Sequence, residues 1–256
     1  MSDRPEPKKV MFMSADIVGS TTFKENHKST GDVPSWLPAF EKFFRELPLV
    51  FIGQIAIQFD DVDDVPETGV WRVSGDEIVF SIELTDDQTT TRLLKAFLGS
   101  VSLFDKRLYE FCGLNLRGCC WVASFPGRNI EIEVPEMAVA GDRTNDIYRE
   151  YLGPDVDLGF RLSGYPNAGE NIISLELAMM MRGAIVNRDL SLSVEGYESL
   201  KGLFAGCPYP IIKVAINPES AERGIDEEDL VRIDKNFRAA LESVDTPSNR
   251  IIGSDS

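Results

Sequence analysis

The feature that most restricts the fold is the run Val10–Val18, almost wholly apolar and stopped by Gly19-Ser20-Thr21-Thr22. A stretch of this length and character suits a strand buried in a sheet and is far too short to span a membrane. One carboxylate, Asp16, stands near its end. The Ser and Thr that follow suit the cap of a helix.

Further strands and helices alternate behind it. The spacing predicts an aromatic helix between Trp36 and Leu47, bounded by Pro34 and Pro48, and a strand over Ile55–Phe59 that leads into the acidic turn Asp60–Asp64. That turn reads first as a solvated loop and second as a cation site. Val70–Val73 and Ile78–Leu84 form a predicted hairpin through Ser74-Gly75-Asp76-Glu77. Leu93, Leu94, Phe97, Val101, Phe104, Leu108 and Phe111 recur at helical spacing and predict a long helix over Asp87–Cys112. Leu114–Phe125 reads as a strand and Glu131–Glu136 as an acidic, irregular stretch. A helix over Asp155–Leu162, a short strand at Ile172–Ser174, a helix over Leu175–Met181 and strands at Leu190–Val194 and Ile211–Ile216 complete the pattern. Beyond Asn217 the sequence predicts one amphipathic helix, Glu228–Val244, and a polar, disordered end. There is no internal repeat. Strands alternating with helices around one hairpin favour an α/β sandwich with a mixed sheet and helices mainly on one face. The expected division is one domain over residues 8–217 and a tail over 218–256.

Composition removes several functions. The chain has 26 Lys and Arg against 42 Asp and Glu, a net charge of −16. Such a surface does not suit general nucleic-acid binding or an anionic membrane, although a few local cations and metal ions could still hold a triphosphate. The N-terminus has no apolar signal core, and no window reaches membrane-spanning length. A cytoplasmic setting follows, with reduced thiols. Cys112, Cys119, Cys120 and Cys207 show neither metal-ligand nor disulfide spacing. Adjacent Cys119 and Cys120 point to opposite faces of a strand and read as core and surface thiols. His27, the only histidine, lies in a polar run and reads as a surface residue; Met179–Met181 reads as helix core filling.

Two carboxylates carry the chemistry. Asp16 ends a buried strand, and Asp76 sits in a hairpin turn where Gly75 lets the backbone bend. Carboxylates on neighbouring strand ends can share one or two hard divalent cations, Mg²⁺ or Mn²⁺, and leave positions open for phosphates. Each alone reads first as a turn-capping aspartate; the pair, on strand ends expected to be neighbours, points to the cation. Gly19-Ser20-Thr21-Thr22 offers free N–H groups to an anion, as any strand-to-helix turn does.

The segments Phe12–Thr21 and Trp71–Asp76, about sixty residues apart, resemble the two metal-binding motifs of class III adenylyl and guanylyl cyclases. Gly153–Leu162 is similar to the family helix that carries an Asn and an Arg one turn apart, and Ser199–Leu203 to its late Lys-Gly hairpin. The resemblance covers residues 8–217 and implies the ferredoxin-like class III cyclase catalytic fold. It further implies a head-to-tail homodimer with composite active sites. Asp16, Ile17 and Asp76 would hold two Mn²⁺ or Mg²⁺ ions. Gly19, Ser20, Thr21 and Thr22 would meet the substrate phosphates. Arg161 and Lys201 of the other protomer would stabilise phosphate charge, and Asp157 would stand where the ribose-orienting Asn stands. The alternatives are a surface arginine and a solvated turn lysine.

Departures from the family pattern narrow the resemblance. At the base-reading positions stand Arg72, a planar donor fork, and Glu150, an acceptor; Asp157 replaces Asn, and residues 53–69 form a longer connection. In these respects the chain resembles the bacterial pyrimidine cyclases of antiphage signalling, which make cyclic UMP or cyclic CMP for a downstream effector. Arg72 on a carbonyl and Glu150 on N3–H would complement uracil, so UTP is favoured, although Glu150 could also accept from the amino group of cytosine. Arg72 could instead pair with Glu77 or another nearby acid. Rival readings are a purine (adenylate or guanylate) cyclase, a diguanylate cyclase, from the likeness of Ser74–Ile78 to a Gly-Gly-Asp-Glu-Phe signature, a catalytically inactive nucleotide-binding domain, and an interaction module.

Overall fold

The computed structural model describes residues 6–27, 33–61, 64–134, 148–187, 189–216 and 224–245. A seven-stranded mixed sheet has the order β2-β3-β1-β4-β7-β9-β8, formed by β1 (Lys8–Val18), β2 (Thr68–Ser74), β3 (Glu77–Leu84), β4 (Asn115–Phe125), β7 (Asn171–Ile173), β8 (Leu190–Ser199) and β9 (Pro208–Ile216). Only β4 and β7 run parallel; the other pairings are antiparallel. A separate hairpin joins β5 (Ile130–Val134) to β6 (Tyr148–Leu152).

Both faces of the central strands are covered, which explains the unbroken burial of Val10 to Ala15. Helices α2 (Leu37–Gln58) and α3 (Asp87–Cys112) lie on one face, where Phe51 packs on Phe80 and Phe97. On the other face, Phe12 meets Trp71, Trp121 and Tyr151, while Phe160 of α4 (Pro154–Leu162) packs on both tryptophans. The expected fold class is therefore the observed one, with the two long helices sharing one face. Cys119 and Cys120 are both buried, so the expected surface thiol is corrected: covering both faces of β4 hides both neighbours.

Helix α3 spans the predicted residues. Asp86 accepts a hydrogen bond from Thr89 N at its start (2.8 Å), and Gly113 ends it with a left-handed turn. The α2 expectation fails at Pro48, which lies inside the helix. Ile55–Phe59 is accordingly the last turn of α2 and its cap, not a strand. Phe40, Phe43, Leu47, Phe51 and Ile55 form one buried stripe at three- and four-residue spacing. Burying that stripe against α3 outweighs one missing backbone hydrogen bond at the proline. Glu131–Glu136 is corrected as well: residues 130–134 are strand β5, their ladder satisfied by β6, with Lys8 paired to Glu131 at 2.6 Å.

The remaining expectations fare better. Helix α4, strand β7 and helix α5 (Leu175–Met180) lie where predicted, with α6 (Arg182–Val186) following directly. Met181 is fully buried and Met179 and Met180 pack against the core. His27 is exposed and stacks on Phe23. Helix α7 (Glu227–Asp245) buries Leu230, Ile233 and Phe237, the last against Phe204 and Tyr209. The expected domain boundary at residue 217, part of the acidic turn at 62–63 and the polar end at 246–256 lie outside the described residues. Among the described residues no helix is long and apolar enough to cross a membrane.

Candidate functional site

The site begins where β1 runs out between β3 and β4. Antiparallel register sets Asp16 opposite Glu77 on one side and Arg117 on the other. The β2–β3 turn closes beside it: Ile17 N donates to Asp76 O at 3.2 Å, and Gly75 takes φ +65° to make the bend. Asp16 and Asp76 are thus brought together at the strand end. Ile17 has a buried hydrocarbon side chain, so only its backbone carbonyl can serve as a ligand.

Each carboxylate has a protein partner. Arg117 places Nε and one terminal nitrogen each 2.7 Å from Asp16 Oδ2. The Ser20 hydroxyl donates to Asp76, and that of Ser14 to Glu77. Burial pushes the Asp16 carboxyl above its usual range; Arg117 opposes the shift and Asp76 adds to it. Burial also raises Glu77, against the Ser14 hydroxyl and with the charges of Asp16 and Asp76. Crowded carboxylates of this kind are relieved by a divalent cation, and their hard oxygens suit Mg²⁺ or Mn²⁺. Among the described residues no three acidic, His or Cys side chains converge as a complete metal cage. The residues therefore fit a partial coordination shell with positions left for other oxygen ligands.

Gly19-Ser20-Thr21-Thr22 borders the same carboxylates. It opens α1 (Ser20–Asn26), a helix of only seven residues. Ser20 is buried and its hydroxyl is engaged by Asp76, while Thr21 and Thr22 are exposed.

Arg72 and Glu150, expected to read a base, form an ion pair with each other. Arg72 lies 4.6 Å from the Trp71 ring and 5.6 Å from that of Phe160. Tyr148 donates its hydroxyl to the second Glu150 oxygen at 2.8 Å, and Trp71 Nε1 donates to Arg149 O at 3.0 Å, tying β2 to β6. The ion-pair alternative thus holds with Glu150 as the partner rather than Glu77, and it sets donors and acceptors side by side.

Asp157 and Arg161 are both exposed, one turn apart on α4. Lys201 is exposed in the turn after β8. Among the described residues none of the three has a hydrogen-bonded or ion-paired side chain. Their motif neighbours tie α4 to both halves of the site. Arg117 reaches from Asp16 to the Gly164 carbonyl (3.3 Å), and Phe160 packs on Arg72. Helix α4 lies close to β4, because Gly159 brings its backbone against the Trp121 indole, with no room for a Cβ.

Sequence reasoning missed Arg117, Tyr148 and the Ser14–Glu77 pair. Arg117 carried a usable signal, a charge inside the apolar run Leu114–Phe125, the same cue that singled out Asp16. Tyr148 had none, because its role depends on a hairpin that had not been assigned.

No protein-family model and no curated protein matches this sequence. Solved structures do match in fold. The adenylyl cyclase CyaB from P. aeruginosa aligns with a TM-score of 0.59 at 14% identity, covering 85% of this chain and 98% of its own. The guanylate cyclase domain of RhGC from Catenaria anguillulae, in complex with GTP, aligns at 0.57 and 16%, covering 83% and 100%. Adenylate cyclases from Trypanosoma brucei, in their monomeric state, align at 0.51 and 14%, covering 86% and 94%. The chain has the fold of class III nucleotidyl cyclase catalytic domains.

Proposed function

We propose that this chain is a nucleotidyl cyclase that converts a nucleoside triphosphate, UTP in preference, into its 3′,5′-cyclic monophosphate and pyrophosphate. What supports the reading above all is the coupling of two site halves through α4. Asp16 and Asp76 meet at one strand end, and the Arg72–Glu150 pair stacks on the same helix that carries Arg161. Cyclase-fold neighbours add fold-level support.

Asp16, the Ile17 carbonyl and Asp76 would hold two Mn²⁺ or Mg²⁺ ions, which when bound supply Lewis acidity to the ribose 3′-hydroxyl and the triphosphate. The 3′-oxygen forms a bond to the α-phosphorus in line as the bond to the bridging oxygen breaks, and pyrophosphate leaves. The hydroxyl proton passes to solvent or to Asp16. The free N–H groups of the Gly19–Thr22 turn receive phosphate oxygens. Arg161 and Lys201 of a second copy offset the charge that develops on the phosphates, and Asp157 accepts from a ribose hydroxyl. The unpartnered, exposed state of these three side chains leaves them available to another protomer in a head-to-tail homodimer.

Base choice rests on Arg72 and Glu150. A donor fork beside a carboxylate complements a carbonyl next to a ring N–H, the arrangement of uracil O4 and N3–H. Guanine O6 and N1–H present the same pair, which makes GTP the second reading, favoured by the fold neighbour bound to GTP. By resemblance to the antiphage pyrimidine cyclases, the product would act in the cytoplasm as a second messenger for a separate effector.

The test is incubation with ATP, GTP, CTP or UTP and Mn²⁺, with products identified by mass spectrometry and Asp76→Ala as control. Cyclic UMP that disappears in the variant is the expected result. Another cyclic mononucleotide overturns the base assignment, a cyclic dinucleotide favours diguanylate cyclase chemistry, and absence of any product overturns the enzyme reading.

A further inference from the structure

The turn that carries Lys201 runs into backbone that side chains rarely adopt. Phe204, Ala205 and Gly206 all have left-handed φ angles, +51°, +50° and +83°. Glycine enters this region freely, but a residue with a Cβ does so at a cost in free energy, and stays only where its surroundings over-determine it. Hydrogen bonds close the turn: Gly206 N donates to Leu203 O (3.1 Å), Cys207 N to Phe204 O (2.9 Å) and the Ser199 hydroxyl to Gly206 O (2.9 Å). Ala205 is exposed, so packing can act on this backbone only through Phe204. The Phe204 ring lies flat on Tyr209 of β9, with centroids 5.2 Å apart and planes at 9°. Phe237 of α7 meets both rings edge-on, at 5.1 and 5.2 Å. Tyr209 is itself fixed: it is fully buried, and its hydroxyl accepts from Leu175 N (2.7 Å) and donates to Glu176 (3.0 Å). Just before α7 begins, Ile225 N donates to Leu192 O of β8 at 2.8 Å, which ties the helix to the strand that leads into Lys201.

We propose that Phe237 is a positioning residue for Lys201. The docked helix α7 presses the Phe204 ring onto Tyr209, holds the left-handed turn, and so fixes where the exposed lysine stands when it meets the neighbouring protomer's phosphates. Withdrawing the Phe237 ring uncovers one edge of this aromatic stack. Residues 204–205 are then free to relax to negative φ, which re-aims the chain between Lys201 and β9. The catalytic use of Lys201 rests on the proposed cyclase reaction; the clamp on its turn does not.

Trypsin cleavage after Lys201 of the folded full chain, followed by mass spectrometry, tests the clamp without any substrate. Phe237→Ala should speed cleavage there by about 10-fold or more relative to the other tryptic sites, because native-state proteolysis reads local opening. Phe237→Leu, which keeps most of the apolar bulk and the docking of α7, should fall between Phe237→Ala and wild type. A rise shared by all sites even in Phe237→Leu, or no change at Lys201 in either variant, overturns the clamp. On the triphosphate that wild type turns over, Phe237→Ala should lower kcat by about 10- to 100-fold, the scale expected of a misplaced group. KM should stay nearly unchanged, because the phosphate charge that Lys201 meets grows in the transition state. In a Lys201→Ala background the same substitution should lower kcat no further. An equal loss with and without Lys201 would make Phe237 merely structural and overturn the positioning role. Wild type that turns over no triphosphate, with Lys201 selectively cleaved in Phe237→Ala, would count against the proposed reaction and leave the clamp standing.

Discussion

Arg117 grips Asp16 from directly across the β1–β4 ladder, both contacting nitrogens 2.7 Å from the same carboxylate oxygen. Without a cation this guanidinium is the main counter-charge to a carboxylate that burial and Asp76 both disfavour. Arg117→Ala should therefore lower stability by about 1–3 kcal/mol, a figure discounted because the pair retains some solvent contact. The same change frees Asp16 for a metal ion. The melting-point rise on adding Mn²⁺ should be larger in Arg117→Ala than in wild type, as read by differential scanning fluorimetry. Equal rises would show that Arg117 does not compete for Asp16.

The Arg72–Glu150 pair makes a different prediction. It stands on the Trp71 and Phe160 rings, away from the Asp16–Asp76 pair in the contact network. Glu150→Ala should lower kcat/KM for the preferred triphosphate by about 10²-fold or more, as expected when a buried polar contact to a base is lost. Discrimination between the four triphosphates should flatten while the Mn²⁺-induced thermal shift stays at the wild-type value. A uniform loss of metal binding would mean that the pair is structural.

How much of this was legible depended on whether a feature is local. The α3 limits follow from a run of apolar residues with Asp86 and Gly113 at its ends, all within one segment. Asp16 and Asp76 were legible as candidates because each interrupts or adjoins an apolar strand. The second half of α2 was not, since Pro48 is a strong local stop signal and only the packing of Phe51 against Phe80 and Phe97 overrides it. Strand β5 was hidden for a related reason: its glutamates look like a solvated loop until Lys8 and Arg149 from other strands neutralise Glu131. The partnership of Arg72 with Glu150 required knowing that β6 lies beside β2.

Gly159 makes a prediction about stability alone. A Cβ built there would lie 1.9 Å from the Trp121 ring, and that indole is itself locked between Phe12 and Phe160. Neither the ring nor the α4 backbone can yield without disturbing the layer that supports Arg72. Gly159→Ala should cost at least the roughly 1–3 kcal/mol typical of an overpacked core, measured by urea denaturation. Gly183→Ala, where nothing lies within 4 Å of the added carbon, should be close to neutral and serves as the control.

The last prediction concerns the side chains that the single chain leaves unpartnered. Arg161 and Lys201 touch no acid among the described residues, while Asp16 and Asp76 are already held by Arg117 and Ser20. If Arg161 acts on the phosphates of a neighbouring protomer, Asp76→Ala and Arg161→Ala should each be inactive alone and complement each other when mixed. In a symmetric two-site dimer, random exchange makes half of the molecules mixed. Each mixed dimer has one intact site and one doubly damaged site, so activity should return to about a quarter of wild type. Both variants should keep the wild-type melting point to within a few degrees, because neither substituted side chain is buried. Should the mixture stay inactive although subunits demonstrably exchange, the two residues would belong to the same protomer's site, and the composite arrangement would have to be abandoned.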